Sequence, residues 1–338
     1  MAVTIRDIAE KADCGVATVS SYLNGRNVRP QNREKIESAI RELHYTVNET
    51  ARQLKTNRTR MIGAVIPELD STFCAQVLSE IEDTLRKHGY AMLVCDCRSD
   101  PAREKEAVDF LMKRRVDGLF VIPVDQTGSN FRDFAESGRP IVLIDRQIDA
   151  LECSSVCVDN RRAMRSAVDL LTAEGHRRIG MIAGPQTNNA SKQRLKGFEQ
   201  ACEENGISPE DRFVFFGDDS IASGTQGIHA LMTTSPQMTA VIISNYQMTM
   251  GAVIGTNEMG IDIPGQISMI GFDNPQFARA VHPRLTIVNQ PVQAIGSRAA
   301  EIMLRELEQK DSGGPVVAEH VWLETEIVPG HSVRRLEE

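Results

Sequence analysis

Three polar residues each follow a short apolar run: Asp145 after IVLI, Asn245 after VIIS and Asp273 after MIGF. Where parallel strands end together a crevice opens, so side chains at those ends are placed to hydrogen-bond a small ligand. Each of the three could equally cap the helix that follows it. A second stretch, GVATVSSYLNG over residues 15–25, presents Ala17, Thr18, Ser20 and Ser21 on one helical face, small residues that pack weakly and carry no charge. Such a face can approach base edges in a major groove, where bulk would hold the helix away. A solvated surface helix is the alternative.

No catalytic pattern accompanies these residues. The chain has no GxSxG, no P-loop and no HExxH; its seven His are scattered, and the glycines of MIAGP and DDSIASG do not make a dinucleotide fingerprint. The seven Cys are odd in number and lack CxxC spacing, so neither a disulfide framework nor a metal site is expected, only small buried thiols. No enzyme activity and no cofactor are expected.

The elements that must hold these residues follow from length, charge and periodicity. At 338 residues, 41% hydrophobic and 25% charged, the chain exceeds what one core organises, and two or three domains are expected. MAVTIRDIAEKA has no basic-then-apolar leader and no later apolar run approaches a membrane span, so a cytoplasmic location without membrane partners is expected. The net charge of −8 hides an asymmetry: residues 1–60 hold 11 Lys+Arg against 7 Asp+Glu, and the rest hold 27 against 39. A basic head on an acidic body suggests that the head meets an anion.

The head sorts into three helices. Thr4 precedes Ile5, Ile8, Ala9 and Ala12 at helical spacing, with Asp7 completing an acidic variant of the capping box. A second helix over Val16–Asn24 turns Val16, Val19 and Leu23 inward and stops at Gly25, and a third opens at Pro30 to bury Ile36, Ala39, Ile40 and Leu43. Helix, glycine-containing turn and helix, braced by a third, is the helix-turn-helix arrangement. Beyond it, Asn48 could cap a short helix over Glu49–Leu54 that is too polar to fold alone. Leu54 beside Arg52 and Lys55 has the composition of a minor-groove wedge, with a flexible tether as the alternative.

From Met61 onward apolar runs of strand length alternate with amphipathic stretches. MIGAVIP, AMLVCDC, GLFVIPV and PIVLIDR form one set; after SSVCVDN the pattern restarts with RIGMIAGP, RFVFFGD, AVIISN and ISMIGFD. That alternation predicts parallel strands covered by helices on both faces, in two similar lobes.

TIRDIAEKA, GVATVSSYLNG, REKIESAIRELHY, NETARQLKTNRT and MIGAVIPEL together resemble the head and hinge of the LacI/GalR family of bacterial transcription regulators. RRVDGLFVIP, PIVLIDR, GHRRIGMIAGP, RLKGF, ISMIGFDN and LTIVNQP extend the resemblance along nearly the whole chain. It implies an all-α helix-turn-helix head (1–46), a hinge (47–60) and an α/β periplasmic-binding-protein-like body of two doubly wound parallel-sheet lobes (61–338). The first lobe would take about 61–160 and 291–320, the second about 161–290 and 321–338, with crossings near 160, 290 and 320.

The resemblance also assigns residues. Val16, Ala17 and Ser21 fall at base-reading positions, Thr18 and Ser20 near phosphates and Asn24 near the backbone; Thr4 is grouped with these DNA-facing residues. Leu54 takes the place of the intercalating hinge leucine, flanked by Ala51 and Lys55. In the body, Asp273, Asn245 and Arg194 fall where members hold effector hydroxyls or anionic groups, Phe73 where an aromatic lines the pocket, and Asp145 and Ala190 beside them. An arginine, two acceptors and a ring suit a sugar or sugar phosphate.

Departures are Gly15 and Arg29 in place of capping serines, Tyr246 in place of an Asp, and Asp219 where some sugar-binding members carry Trp. Trp322, in the expected strand AEHVWLETEIV, is expected in the core. The implied partners are a pseudo-palindromic double-stranded DNA operator, a small-molecule effector and a second copy of the chain, forming a homodimeric repressor. GHSVRRLEE has no heptad tail for a tetramer. The family also contains a rarer arrangement, a phosphorylated carrier protein acting as corepressor on the first lobe. A transport-type sugar receptor would share the body but need a secretion signal and no head.

Overall fold

The computed structural model describes residues 3–23, 27–45 and 58–336, in two compact units, Met1–Thr59 and Arg60–Glu338. The first unit contains α1 (Ile5–Lys11), α2 (Val16–Leu23) and α3 (Pro30–Glu42). Its core is Ile8, Ala9, Ala12, Val19, Ile36 and Ala39, one apolar stripe from each helix. The Asp7 carboxylate accepts from the Thr4 backbone N–H (2.7 Å) and hydroxyl (2.8 Å), which fixes the start of α1. Arg29 offers no side-chain cap to α3, and Pro30 sets the first turn.

One inward expectation is corrected here. Val16 is 45% exposed, because the first residue of α2 lies beyond the packed stripe; Tyr22 packs there instead, its hydroxyl donating to Glu37 Oε1 at 2.9 Å.

The second unit holds two six-stranded sheets. The first contains β1 (Met61–Ile66), β2 (Ala91–Asp96), β3 (Gly118–Val121), β4 (Ile141–Ile144), β5 (Ser154–Val158) and β11 (His320–Leu323), in the order β11-β5-β4-β3-β1-β2 and all parallel. The second contains β6 (Ile179–Ala183), β7 (Arg212–Phe216), β8 (Ala240–Ile243), β9 (Ser268–Phe272), β10 (Thr286–Asn289) and β12 (Glu326–Val328), ordered β12-β10-β9-β8-β6-β7, with β12 alone antiparallel.

Alternating side chains bury both faces of each sheet. On β1, Ile62, Ala64 and Ile66 pack under α4 (Thr72–Lys87) and α12 (Val292–Asp311), while Val65 packs under α5 (Pro101–Lys113) and α6 (Arg132–Glu136). On β6, Met181 packs under α7 (Asn160–Ala173) and α8 (Asn189–Glu204), and Ile182 under α9 (Ile221–Thr234) and α10 (Tyr246–Met259). A short α11 (Pro275–Ala280) follows β9.

The chain passes between lobes after β5, after β10 and after β11. The last passage lies between Leu323 and Glu326, near the expected 320, but the single strand expected over AEHVWLETEIV is two. Its apolar alternation is continuous, but β5 and β10 each leave an open edge and each captures one half. Trp322 accordingly sits on an edge strand and is 55% exposed, not in the core. All seven Cys are free; Cys74, Cys97, Cys157 and Cys202 are buried, whereas Cys14, Cys95 and Cys153 are half-buried.

Candidate functional site

In the head, α2 presents the face singled out by residue size. Val16 and Ala17 are exposed, Thr18, Ser20 and Ser21 half-buried, and Thr4 is exposed at the start of α1. Val19, on the opposite side, anchors the helix in the core. The face is free of long side chains, so its backbone can approach a groove floor closely. Asn24, Ala51, Leu54 and Lys55 lie outside the described residues.

In the body, the carboxyl ends of both sheets enclose a cavity of about 240 Å³. Phe73, Asp145, Ala190, Arg194, Asn245 and Asp273, though spread over two hundred positions, all line it. Phe73 is in the first turn of α4, whose start is capped by Ser71. Ala190 and Arg194 are one turn apart on α8, which Asn188 caps by accepting from Ser191 N at 2.8 Å.

Arg194 is 7% exposed and held from three sides. Its Nε donates to Asn160 Oδ1 and its Nη1 to the Ser244 carbonyl, both at 2.6 Å, while its guanidinium carbon stands 4.0 Å above the Phe272 ring. Asp273 accepts from the backbone N–H of Gln290 at 3.0 Å and from its side-chain amide at 2.7 Å. Asn245 both lines the cavity and caps α10, accepting from Met248 N at 2.7 Å and donating to Asp219 Oδ1 at 2.5 Å. The two alternatives open in the sequence therefore coincide at Asn245. Asp145 and Asp273 cap no helix; both have left-handed backbone, φ 66° and 58°, which turns their side chains out of the strand direction.

Burial pushes the carboxyl groups of Asp219 and Asp273 up to about 6; the positive charge of Arg194 opposes the rise at both, and Arg146 also opposes it at Asp219. Glu68, Arg146, Asp218 and Gln290 are among the cavity residues that the sequence did not single out. Gln290 carries the same signal as the others, a polar residue just past an apolar strand, TIVN. Arg146 follows Asp145, pairs with it at 3.4 Å and donates to the Pro123 carbonyl at 3.0 Å. Tyr246 lines the cavity edge-on to Phe277, ring centroids 5.7 Å apart.

A helix-turn-helix head and a two-lobed body with a polar cleft at the strands' carboxyl ends define a DNA-binding protein with a ligand-sensing-type body. Residues 4–48 match the bacterial regulatory proteins of the lacI family, and residues 59–319 match the periplasmic binding proteins and sugar binding domain of the LacI family. The chain belongs to the LacI family and is a DNA-binding transcriptional repressor with that family's sugar-binding-type body. The HTH-type transcriptional repressor PurR of Edwardsiella ictaluri is 31% identical over 321 residues, 94% of each chain. The HTH-type transcriptional repressor CytR of Escherichia coli is 31% identical over 317 residues, 92% of each chain. The lac repressor dimer bound to operator and the anti-inducer ONPF superposes with a TM-score of 0.85 at 27% identity, covering 99% of this chain and 100% of that one. Family members are transcription regulators rather than enzymes. Among the described residues, no helix is long and apolar enough to cross a membrane.

Proposed function

We propose that this repressor acts as a homodimer on a pseudo-palindromic operator, and that a small hydroxyl-rich metabolite in the cleft controls its hold on DNA. The observation that carries this reading is the convergence of Arg194, Asn245 and Asp273 on one cavity between two lobes joined by only three passages of chain. A ligand touching both lobes has different contacts in open and closed forms, and that difference is what shifts an equilibrium. A coupling of roughly 1–3 kcal/mol suffices for switching.

Two heads are needed because one recognition helix contacts only half a site. Val16, Ala17 and Ser21 read bases, with Thr4, Thr18, Ser20 and Asn24 near the backbone; Leu54, between Ala51 and Lys55, enters the minor groove. A second copy would cover apolar side chains that the body leaves exposed, Ile221, Ile254 and Met259 on α9 and α10 and Val94 on β2, each 39–42% exposed. The solved lac repressor is a dimer bound to operator, which supports the same arrangement.

The full-length protein should enrich one family of inverted-repeat duplexes from a randomised pool, and a screen of sugars and nucleosides should find one compound that changes its affinity for the enriched duplex. Arg194→Ala should lose that change by at least about tenfold in ligand affinity, since a charged hydrogen-bonding group is removed from the cavity wall. No enrichment over random duplex would defeat the DNA-binding part; an unaltered response in Arg194→Ala would defeat the assignment of the cleft.

A further inference from the structure

The charges around the cleft are unequal. Glu68 and Asp145 line it from the first lobe and Asp218, Asp219 and Asp273 from the second, against Arg146 and Arg194 alone. Arg146 is paired with Asp145, and Arg194 gives Nε and Nη1 to neutral acceptors, Asn160 Oδ1 and the Ser244 carbonyl. Among the described residues, Glu68, Asp218, Asp219 and Asp273 form no ion pair. The charges acting on Asp219 are Arg146, Arg194, Asp145 and Glu68, three of them from the opposite lobe; those acting on Asp273 are Arg194 and again Asp145. Carboxylates from both lobes therefore border the opening and outnumber the arginines, although Arg146 of the first lobe acts on Asp219 more strongly than Asp145 or Glu68 does.

A second, independent feature points the same way. Gln290 lines the cavity, is 4% exposed and leaves its Oε1 acceptor without a partner. Buried acceptors of this kind are ordinarily satisfied, and a ligand O–H or N–H can donate to this one. The carboxylates do not gather into a metal site: no group of three or more His, Cys, Asp or Glu that could hold an ion exists among the described residues.

We propose that the cleft selects a hydroxyl-rich ligand carrying a protonated amine, of the amino-sugar kind, with its ammonium against Asp219 and opposite Glu68, and that it rejects sugar phosphates. This rests on the cleft being the metabolite site. An ammonium brings three donors to a wall of acceptors and is attracted to carboxylates of both lobes. A phosphate would add negative charge to an excess of carboxylates.

Calorimetric titration of the full-length protein near pH 7 with glucosamine, galactosamine and mannosamine, their parent hexoses and the hexose 6-phosphates tests the proposal. At least one amine should bind at least about tenfold tighter than its parent hexose, with the 6-phosphates weaker than either, a ratio that one fresh charge contact would give. Asp219→Asn and, from the other lobe, Glu68→Gln should each reduce that ratio towards one, with melting temperature confirming that each variant folds. A hexose or hexose 6-phosphate binding as tightly as its amine, no binding by any amine, or an unchanged ratio in both variants overturns the amine preference. The cleft reading fails separately, if a ligand of any class found by screening binds Arg194→Ala as it binds the unaltered protein.

Discussion

Arg194 is a buried cation whose direct contacts are an amide oxygen, a backbone carbonyl and an aromatic face, with carboxylates only at longer range. That arrangement keeps Asp219 and Asp273 from being neutralised by a contact pair, and burial raises both from an ordinary 3.8 to about 6. The folded protein therefore binds these protons more tightly than the unfolded chain. The resulting stabilisation is complete below about 3.8 and is lost as pH rises through about 6. Asp273→Asn cannot titrate, so its melting temperature relative to the unaltered protein should shift by a few degrees in the variant's favour between about pH 4 and pH 7. Scanning calorimetry across that range checks it; a constant offset at every pH would contradict the assignment. Strand-end position alone identified Asp145, Asn245 and Asp273, but which of them caps a helix depended on backbone turns that no local pattern encodes.

Among the elements, α9 and α10 form the tightest helix pair of the second lobe. A methyl group at Gly251 would lie 2.0 Å from the Ile221 carbonyl, and one at Gly224 2.2 Å from that of Met248, so the helices touch backbone to backbone. Gly251→Ala should force them apart and lower stability by about 1–3 kcal/mol, read as a fall in melting temperature of the whole body. An unshifted melting curve would mean that the pair is looser than it stands here. Strands of the body were legible as continuous apolar runs, buried on both faces, and helices by their period of 3.6 residues. The exception is instructive: HVWL and EIV share one alternation, and only competition between two open sheet edges divides them.

At the scale of the molecule, Arg60–Glu338 is a compact unit with cores on both faces of both sheets. A chain beginning at Arg60 should remain folded and keep the ligand affinity of the full-length protein within about twofold, since none of its core residues belongs to the head. Circular dichroism and ligand titration check this, and loss of ligand binding in a folded body would count against independent units. The same chain should sediment as a dimer if the exposed apolar side chains of α9, α10 and β2 form the partner surface.

What the amino-acid order determined by itself was local: the periodicity of each element, the cap at Thr4, the helix start at Pro30, and the polar residues standing just past apolar strands. Those depend on neighbours within a few positions, and such neighbours are visible along a chain. The tertiary structure decided what meets across distance: Glu68 and Asp145 facing Asp219, Gln290 clasping Asp273, Arg194 over Phe272 and Trp322 left at an edge. Charge opposition and burial are properties of separation in space, and the two sheets had to close on one another before those separations existed.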